Sequence, residues 1–289
     1  MTSPFKTLVC LVILIGAWAH VAAESVSFAG VKGDGYPHAE VVTATWQTPS
    51  QGAGPWPAVA IFHGSAGIDG RGAFHAKALH AAGIATLEVH MFDQGKRFRE
   101  GHTSTLTHAY GALQYLSNRP DVVPAQIGAM GFSWGGNLSL RAASKVVHQR
   151  FFPNGGPQFA GHAAFYAVWW QHQRLLAEPS ARGYGDYADF TGAPVMLLAG
   201  GKDDYGDPQD AQSFLNALTP SQQQLFKLQH YPGGTHGWDV PSGAGRTVYD
   251  PTAGKGKGGH VRMFPDPGIA EQSRQAVVDF FRQAFKTPR

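Results

Sequence analysis

Gln126-Ile127-Gly128-Ala129-Met130-Gly131-Phe132-Ser133-Trp134-Gly135-Gly136-Asn137-Leu138-Ser139-Leu140 is the stretch from which the rest of the chain can be read. A short apolar run, a glycine-flanked serine and a run of small and apolar residues follow one another without a gap. The pattern predicts a strand, a sharp turn and a helix, with Ser133 on the turn. The G-x-S-x-G spacing answers a steric need, because strand and helix backbones approach closely there and leave no room for β-carbons at Gly131 or Gly135. Such a turn holds the serine hydroxyl clear of both elements, which makes Ser133 a candidate nucleophile.

Outward from this turn, apolar β-rich runs alternate with amphipathic ones, the pattern of a mostly parallel sheet covered by helices, an α/β fold. Strands are predicted over Val41 to Trp46, Ala58 to Phe62, Ala85 to His90, Gln126 to Gly131, Gly161 to Val168, Pro194 to Ala199 and Leu225 to His230. Helices are predicted over Gly72 to Ala82, Ser104 to Ser117, Asn137 to Val147, Pro208 to Ala217 and Ala270 to Phe285. Two stretches interrupt the alternation. Gln171 to Asp189 is polar and aromatic, with Arg174, Arg182, Tyr184 and Tyr187, and lies where a crossover helix or a small cap would be inserted. Trp238 to Pro267 is glycine-rich and contains Gly254-Lys255-Gly256-Lys257-Gly258-Gly259. No Gly-Lys-Ser/Thr follows and no strand leads straight into it, so it is read as a mobile surface loop rather than a phosphate loop.

The first residues stand apart. Lys6 precedes a nearly unbroken apolar run from Thr7 to Trp18, and Val21-Ala22-Ala23 supplies small residues before Glu24. That is the form of an export signal, so residues 1–23 are expected to be a leader and 24–289 a single domain, periplasmic or secreted. The apolar run is shorter than the roughly 20 residues a membrane span requires. Cys10, the one cysteine in 289 residues, falls inside the leader, so neither disulfides nor thiol chemistry are expected of the domain. The formal charge of +3 loses only Lys6 with the leader. So small and dispersed a balance does not indicate nucleic acid or an anionic membrane as a partner.

An activated serine needs a base, an acid that orients the base, and donors for the oxyanion. In an open α/β sheet these belong beyond the carboxyl ends of the strands. His236, in Tyr231-Pro232-Gly233-Gly234-Thr235-His236-Gly237-Trp238 after the last strand, is the candidate base among 14 histidines. Gly200-Gly201-Lys202-Asp203-Asp204 follows the preceding strand and supplies the acid. Asp203 is preferred with Asp204 beside it, and Asp207 is read as a cap for the next helix. Candidate oxyanion donors are the backbone amides of Trp134, next to the serine, and of Ser65 in His63-Gly64-Ser65-Ala66-Gly67. His63 is read as structural. Trp134, Trp169, Trp170 and Trp238 suit an apolar pocket or the core equally. Arg97 and Arg99 are read as a solvated loop. His162 and His172 lack a framing carboxylate, so no metal is expected, and His75, His80 and His90 are read as hydrogen-bonded structural residues.

With these motifs in order, the chain resembles the dienelactone hydrolase family of the α/β-hydrolase superfamily from about residue 40 onwards. The resemblance implies the α/β-hydrolase fold, a mainly parallel eight-stranded sheet with helices on both faces, and no cofactor. It implies a Ser133–Asp203–His236 triad acting on a small-molecule ester. The founding enzymes of that family carry cysteine where Ser133 stands, place an arginine after the histidine turn where Gly237-Trp238-Asp239-Val240 has none, and are cytoplasmic. The expectation is therefore an exported serine esterase rather than an enzyme for dienelactones. The same triad serves peptide, amide and thioester cleavage or acyl transfer. A domain that only binds a ligand is the remaining alternative.

Overall fold

The computed structural model describes residues 23–36, 40–92, 101–179, 185–241 and 243–286. Residues 1–22 of the expected leader, Arg97, Arg99, Arg182 and Tyr184 lie outside them. The sheet is built from β1 (Ala23–Ala29), β2 (Val41–Gln47), β3 (Trp56–Phe62), β4 (Ala85–His90), β5 (Val122–Phe132), β6 (Gly161–Phe165), β7 (Val195–Gly200) and β8 (Phe226–Tyr231). Their order is β1-β2-β4-β3-β5-β6-β7-β8. β2 pairs antiparallel with both β1 and β4, and every other pairing is parallel, so the sheet is mixed with β2 alone running the opposite way.

The strands follow from two-sided burial. On β3, Ala58, Ala60 and Phe62 enter one hydrophobic layer and Val59 and Ile61 the other, all fully buried. Near-continuous apolar strands are what such a sheet requires. One layer is closed by α1 (Arg71–Ala81) and α9 (Pro267–Ala284), through Ala76, Leu79, Val277 and Phe281. The other is closed by α2 (Gly101–Ser117), α3 (Trp134–Ala142), α4 (Lys145–Phe151) and α6 (Asp210–Asn216). β1 has no counterpart in the sequence reading. Only Val26 and Phe28 of its seven residues face inward, and it begins at Ala23, the last residue of the expected leader.

Three expectations are revised. The helix predicted from Asn137 to Val147 is two helices, because Ser144 is extended (ψ 128°) and the chain there bonds to the loop at Asp189–Thr191 instead. The strand predicted through Val168 stops at Phe165, where Tyr166 turns to φ +34°. The glycine-rich stretch is ordered. It forms the hairpin β9 (Arg246–Asp250) and β10 (Gly259–Met263) around a tight turn, α8 (Ala253–Gly256), in which Gly254 and Lys255 take left-handed angles (φ +55° and +61°). The amides of Gly254, Lys255, Gly256, Lys257 and Gly258 all bond backbone carbonyls, which leaves no cradle for a phosphate. Gln171 to Asp189 opens within α5 (Trp169–Ala177), which packs on α6. The short α7 (Pro220–Gln223) carries a capping box from Thr219.

Chain order reverses at β3, with β4 on one side and β5 on the other. The loops after β3 and β5 therefore flank the switch point at which α/β sheets bind ligands. Their approach is close. A β-carbon on Gly135 would overlap the Phe62 carbonyl, and one on Gly131 would overlap the backbone of Gly135. Gly135→Ala is accordingly expected to destabilise the fold by roughly 3 kcal/mol, read as a fall in the urea midpoint.

Candidate active site

Ser133 sits between β5 and α3 at φ 52°, ψ −103°, a conformation that a side-chain-bearing residue holds only when its surroundings enforce it. Its amide donates to the Phe165 carbonyl at 3.0 Å and its carbonyl accepts from the Asn137 amide at 2.8 Å. The hydroxyl points to His236, with Oγ 2.8 Å from Nε2, and His236 Nδ1 lies 2.9 Å from Asp203 Oδ2. An ionised carboxylate only accepts, so Nδ1 carries the proton and Nε2 is the acceptor for the serine hydroxyl. The three residues come from the ends of β5, β7 and β8, as the sequence order suggested.

The acid turn and the histidine turn are knitted together by backbone bonds from Gly201 to Tyr231 (2.8 Å) and from Lys202 to Gly234 (2.9 Å). Asp203 Oδ1 accepts from the Tyr205 amide at 3.1 Å, which fixes the carboxylate's second oxygen. Asp204 faces away and is engaged by Arg262 of β10 through its amide, Nε and Nη2 at 2.7–2.9 Å. Burial pushes the Asp204 carboxyl up, but the bonds and charge of Arg262 outweigh it and hold it below the usual range. Asp207 does not cap α6. Gln209 occupies that position, and Asp207 pairs with Lys255 at 2.6 Å.

The loop after β3 is held against the serine turn by the Gly135 amide, which donates to the His63 carbonyl at 3.2 Å. Ser65 lies in a tight turn there, closed by Gly67 N to Gly64 O at 3.0 Å, and Trp134 opens α3. Both expected oxyanion amides thus belong to the two loops at the switch point. His63 is a brace, as read: Nδ1 donates to Gly64 O at 2.8 Å, and Nε2 accepts from the Met91 amide at 3.0 Å. Burial, only partly offset by the Gly64 bond, lowers its pKa to about 4.

Four more of the histidines and two of the tryptophans have structural partners. His75 bonds Asp239, His80 bonds Thr86, His90 lies near Thr43 and Thr45, and His172 bonds Tyr187 and Asn137. No cluster able to hold a metal occurs among the described residues. Trp238 is a core residue, fully buried with Nε1 on Ser273 at 3.2 Å. The Trp134 indole bonds Thr105 at 3.1 Å and meets Phe92 edge-on.

Sequence reasoning did not reach several neighbours of the triad. Tyr166 and Tyr205 both lay a ring against His236, at 4.9 and 4.4 Å between centroids. Arg71 and Asp239 are buried close by, Arg71 paired with Asp69 and Asp239 bonded by His75. Glu88 on β4 packs its carboxyl against the Cα of Gly72, at the first turn of α1. Burial, reinforced by the Asp69 charge, raises its pKa from 4.5 to about 7.

Glu88 and His63 give opposed pH dependences. The folded chain holds the Glu88 proton between pH 4.5 and 7 where the unfolded chain has lost it, so this contribution falls as pH rises through that window. The folded chain refuses the His63 proton between 6.5 and 4, so its contribution falls as pH drops. In Glu88→Gln the Glu88 slope is removed and the His63 slope stays. The variant is expected to gain up to about 3 kcal/mol over the parent between pH 4.5 and 8, measured by denaturation at a series of pH values.

A serine on a strained strand-to-helix turn, at the carboxyl edge of a mainly parallel eight-stranded sheet with helices on both faces, defines the α/β-hydrolase fold. The chain belongs to the dienelactone hydrolase family, whose sequence model matches residues 42–285. An uncharacterized protein of Mycobacterium tuberculosis (strain ATCC 25618 / H37Rv) is 30% identical over 170 residues, covering 55% of this chain and 57% of that protein. The chain thus spans little more than half the length of the curated relatives it matches. Among solved structures, it is similar to a dienelactone hydrolase from Anabaena variabilis (18% identity, TM-score 0.55, 90% of this chain and 98% of that one). It is also similar to Est1E from Butyrivibrio proteoclasticus (16%, 0.59, 91% and 100%). A third is Thermogutta terrifontis esterase 2 (16%, 0.61, 92% and 97%). At these identities the likeness is one of fold.

Proposed function

We propose that the chain hydrolyses carboxylic esters through an acyl-enzyme on Ser133. The observation that carries this is the unbroken line from Ser133 Oγ to His236 Nε2, and from His236 Nδ1 to Asp203 Oδ2, at 2.8 and 2.9 Å. Ser133 Oγ attacks the ester carbonyl while His236 Nε2 takes its proton, and Asp203 stabilises the imidazolium so formed. The amides of Ser65 and Trp134 receive the oxyanion. Collapse of the tetrahedral intermediate expels the alcohol, which leaves with the proton from His236. Water, deprotonated by the same imidazole, then releases the acid and restores Ser133.

The esterases among the structural neighbours agree with this reading, and no step in it calls for a cofactor. We extend the proposal to export on the strength of the leader-like residues 1–23. The test is turnover of p-nitrophenyl esters from acetate to long acyl chains, with thioester and anilide counterparts, alongside labelling by a fluorophosphonate. One label per chain, mapped to Ser133, with esters turned over faster than anilides, is the expected result. A folded protein that neither labels nor turns over any of the panel would sink the proposal.

A further inference from the structure

Behind the triad lies a line of buried polar groups that the reaction as described does not use. Arg71, at the start of α1, is gripped by Asp69 through Nε at 2.8 Å and Nη2 at 2.7 Å, and its Nη1 donates to the Tyr166 hydroxyl at 2.8 Å. That hydroxyl donates to Asp239 Oδ1 at 2.5 Å, and His75 Nε2 donates to Asp239 Oδ2 at 2.8 Å. Burial alone would push the Asp239 carboxyl up, but His75, Arg71 and Tyr166 together keep it below the usual range. The guanidinium also lies against Gly64 of the loop after β3 and near Gly237, next to the base. One fork therefore spans the Ser65 loop, the end of β6 and the histidine turn.

Tyr166 is the member of this line that reaches the chemistry. It is fully buried and stands at φ +34°, a region costly for any residue but glycine, so its surroundings impose its position. Its amide donates to the Leu198 carbonyl at 2.7 Å. The preceding carbonyl, of Phe165, accepts the Ser133 amide, and the Tyr166 ring meets the His236 ring at 63° and 4.9 Å. Consecutive residues thus hold the serine at one end of the proton transfer and the imidazole at the other.

Resting on the serine-hydrolase reading above, we propose that Tyr166, clamped by Arg71 and Asp239, is a positioning residue that sets the His236 ring at its working distance from Ser133. It acts through the imidazole, and misplacement of a reacting group by about 1 Å can cost about 10²-fold in rate.

Tyr166→Phe keeps the ring and removes the clamp. It is expected to lower kcat by about ten- to a hundredfold with KM within about twofold, and to slow fluorophosphonate labelling in proportion. Asp239→Asn should do the same, and the double variant should be no worse than the worse single, because the two act as a unit. Phe281→Leu, in the core of α9 away from the site, serves as a control for lost stability and should keep its kcat when assayed well below its Tm. A Tyr166→Phe enzyme that loses Tm but keeps kcat would overturn the proposal. Should that variant not fold, Asp239→Asn decides: loss of kcat supports the clamp and full kcat overturns it. Ser133→Ala separates the two readings. If it still turns over ester at the parent rate, both fall. If it is inactive while Tyr166→Phe is unimpaired, only the positioning role falls.

Discussion

Ser133→Ala is expected to lower kcat for ester hydrolysis by about 10⁶-fold, to a residue of about 10³–10⁴ over water supplied by substrate binding and the oxyanion amides. The size follows from the geometry. The hydroxyl is aimed at His236 Nε2 by a turn whose φ of 52° is enforced from both sides, by the Phe165 carbonyl on its amide and the Asn137 amide on its carbonyl. With alanine there, no other hydroxyl among the described residues is bonded to His236 Nε2, which leaves general-base attack by water. His236→Ala should fall to a similar level and the double variant little further, because serine and base work as one unit. Steady-state assays on the best ester of the series, with folding verified by circular dichroism, measure it. Equal activity of parent and Ser133→Ala would remove the nucleophile from this site.

Asp203→Asn is expected to lower kcat by about 10⁴-fold while Asp204→Asn leaves turnover close to that of the parent. The neighbours differ in what they face. Asp203 Oδ2 accepts from His236 Nδ1, and its other oxygen is held by the Tyr205 amide. An asparagine at that place can turn its NH₂ toward Nδ1, which favours the tautomer with the proton on Nε2. That nitrogen could then no longer receive the serine proton. Asp204 instead fastens β10 through Arg262, so its loss should loosen the hairpin before it touches the chemistry. Parallel kcat measurements over pH decide the matter. Equal losses in the two variants would contradict the assignment of the acid.

Most of the frame was legible because its strands carry their own signal. β3, β5, β6 and β7 are apolar runs buried on both faces, and the glycines around Ser133 answer a steric demand local to the chain. The order serine, aspartate, histidine also follows from strand order alone. What was not legible depends on partners distant in sequence. Adjacent carboxylates look alike until Arg262 claims one, 58 residues away. The helix from Asn137 breaks at Ser144 because a remote loop at Asp189 bonds it. β9 and β10 are largely polar, with most of the glycines in the turn between them, and they pair with each other outside the main sheet. Their few apolar residues, Val248, Val261 and Met263, close only on Tyr205, Val168 and Trp170. Tyr166 and Asp239 have no local pattern at all. Their meaning comes from Arg71, 95 residues from Tyr166.

The hairpin has a bearing on how this chain could change. It is one continuous segment, 243–263, bolted to the frame beside the acid by Arg262 on Asp204 and by the Tyr205 hydroxyl on Asp250 at 2.8 Å. It contributes no member of the triad and no oxyanion amide. Its turn is tied to the same place, the Gly254 and Lys255 amides donating to the Asp204 and Tyr205 carbonyls, so it is the exposed positions, such as Tyr249, that can be recoded without pulling on the acid turn. The hairpin and the Ser133–His236–Asp203 line are therefore separate parts of the chain that meet at the acid turn, so that one can be edited while the other is kept.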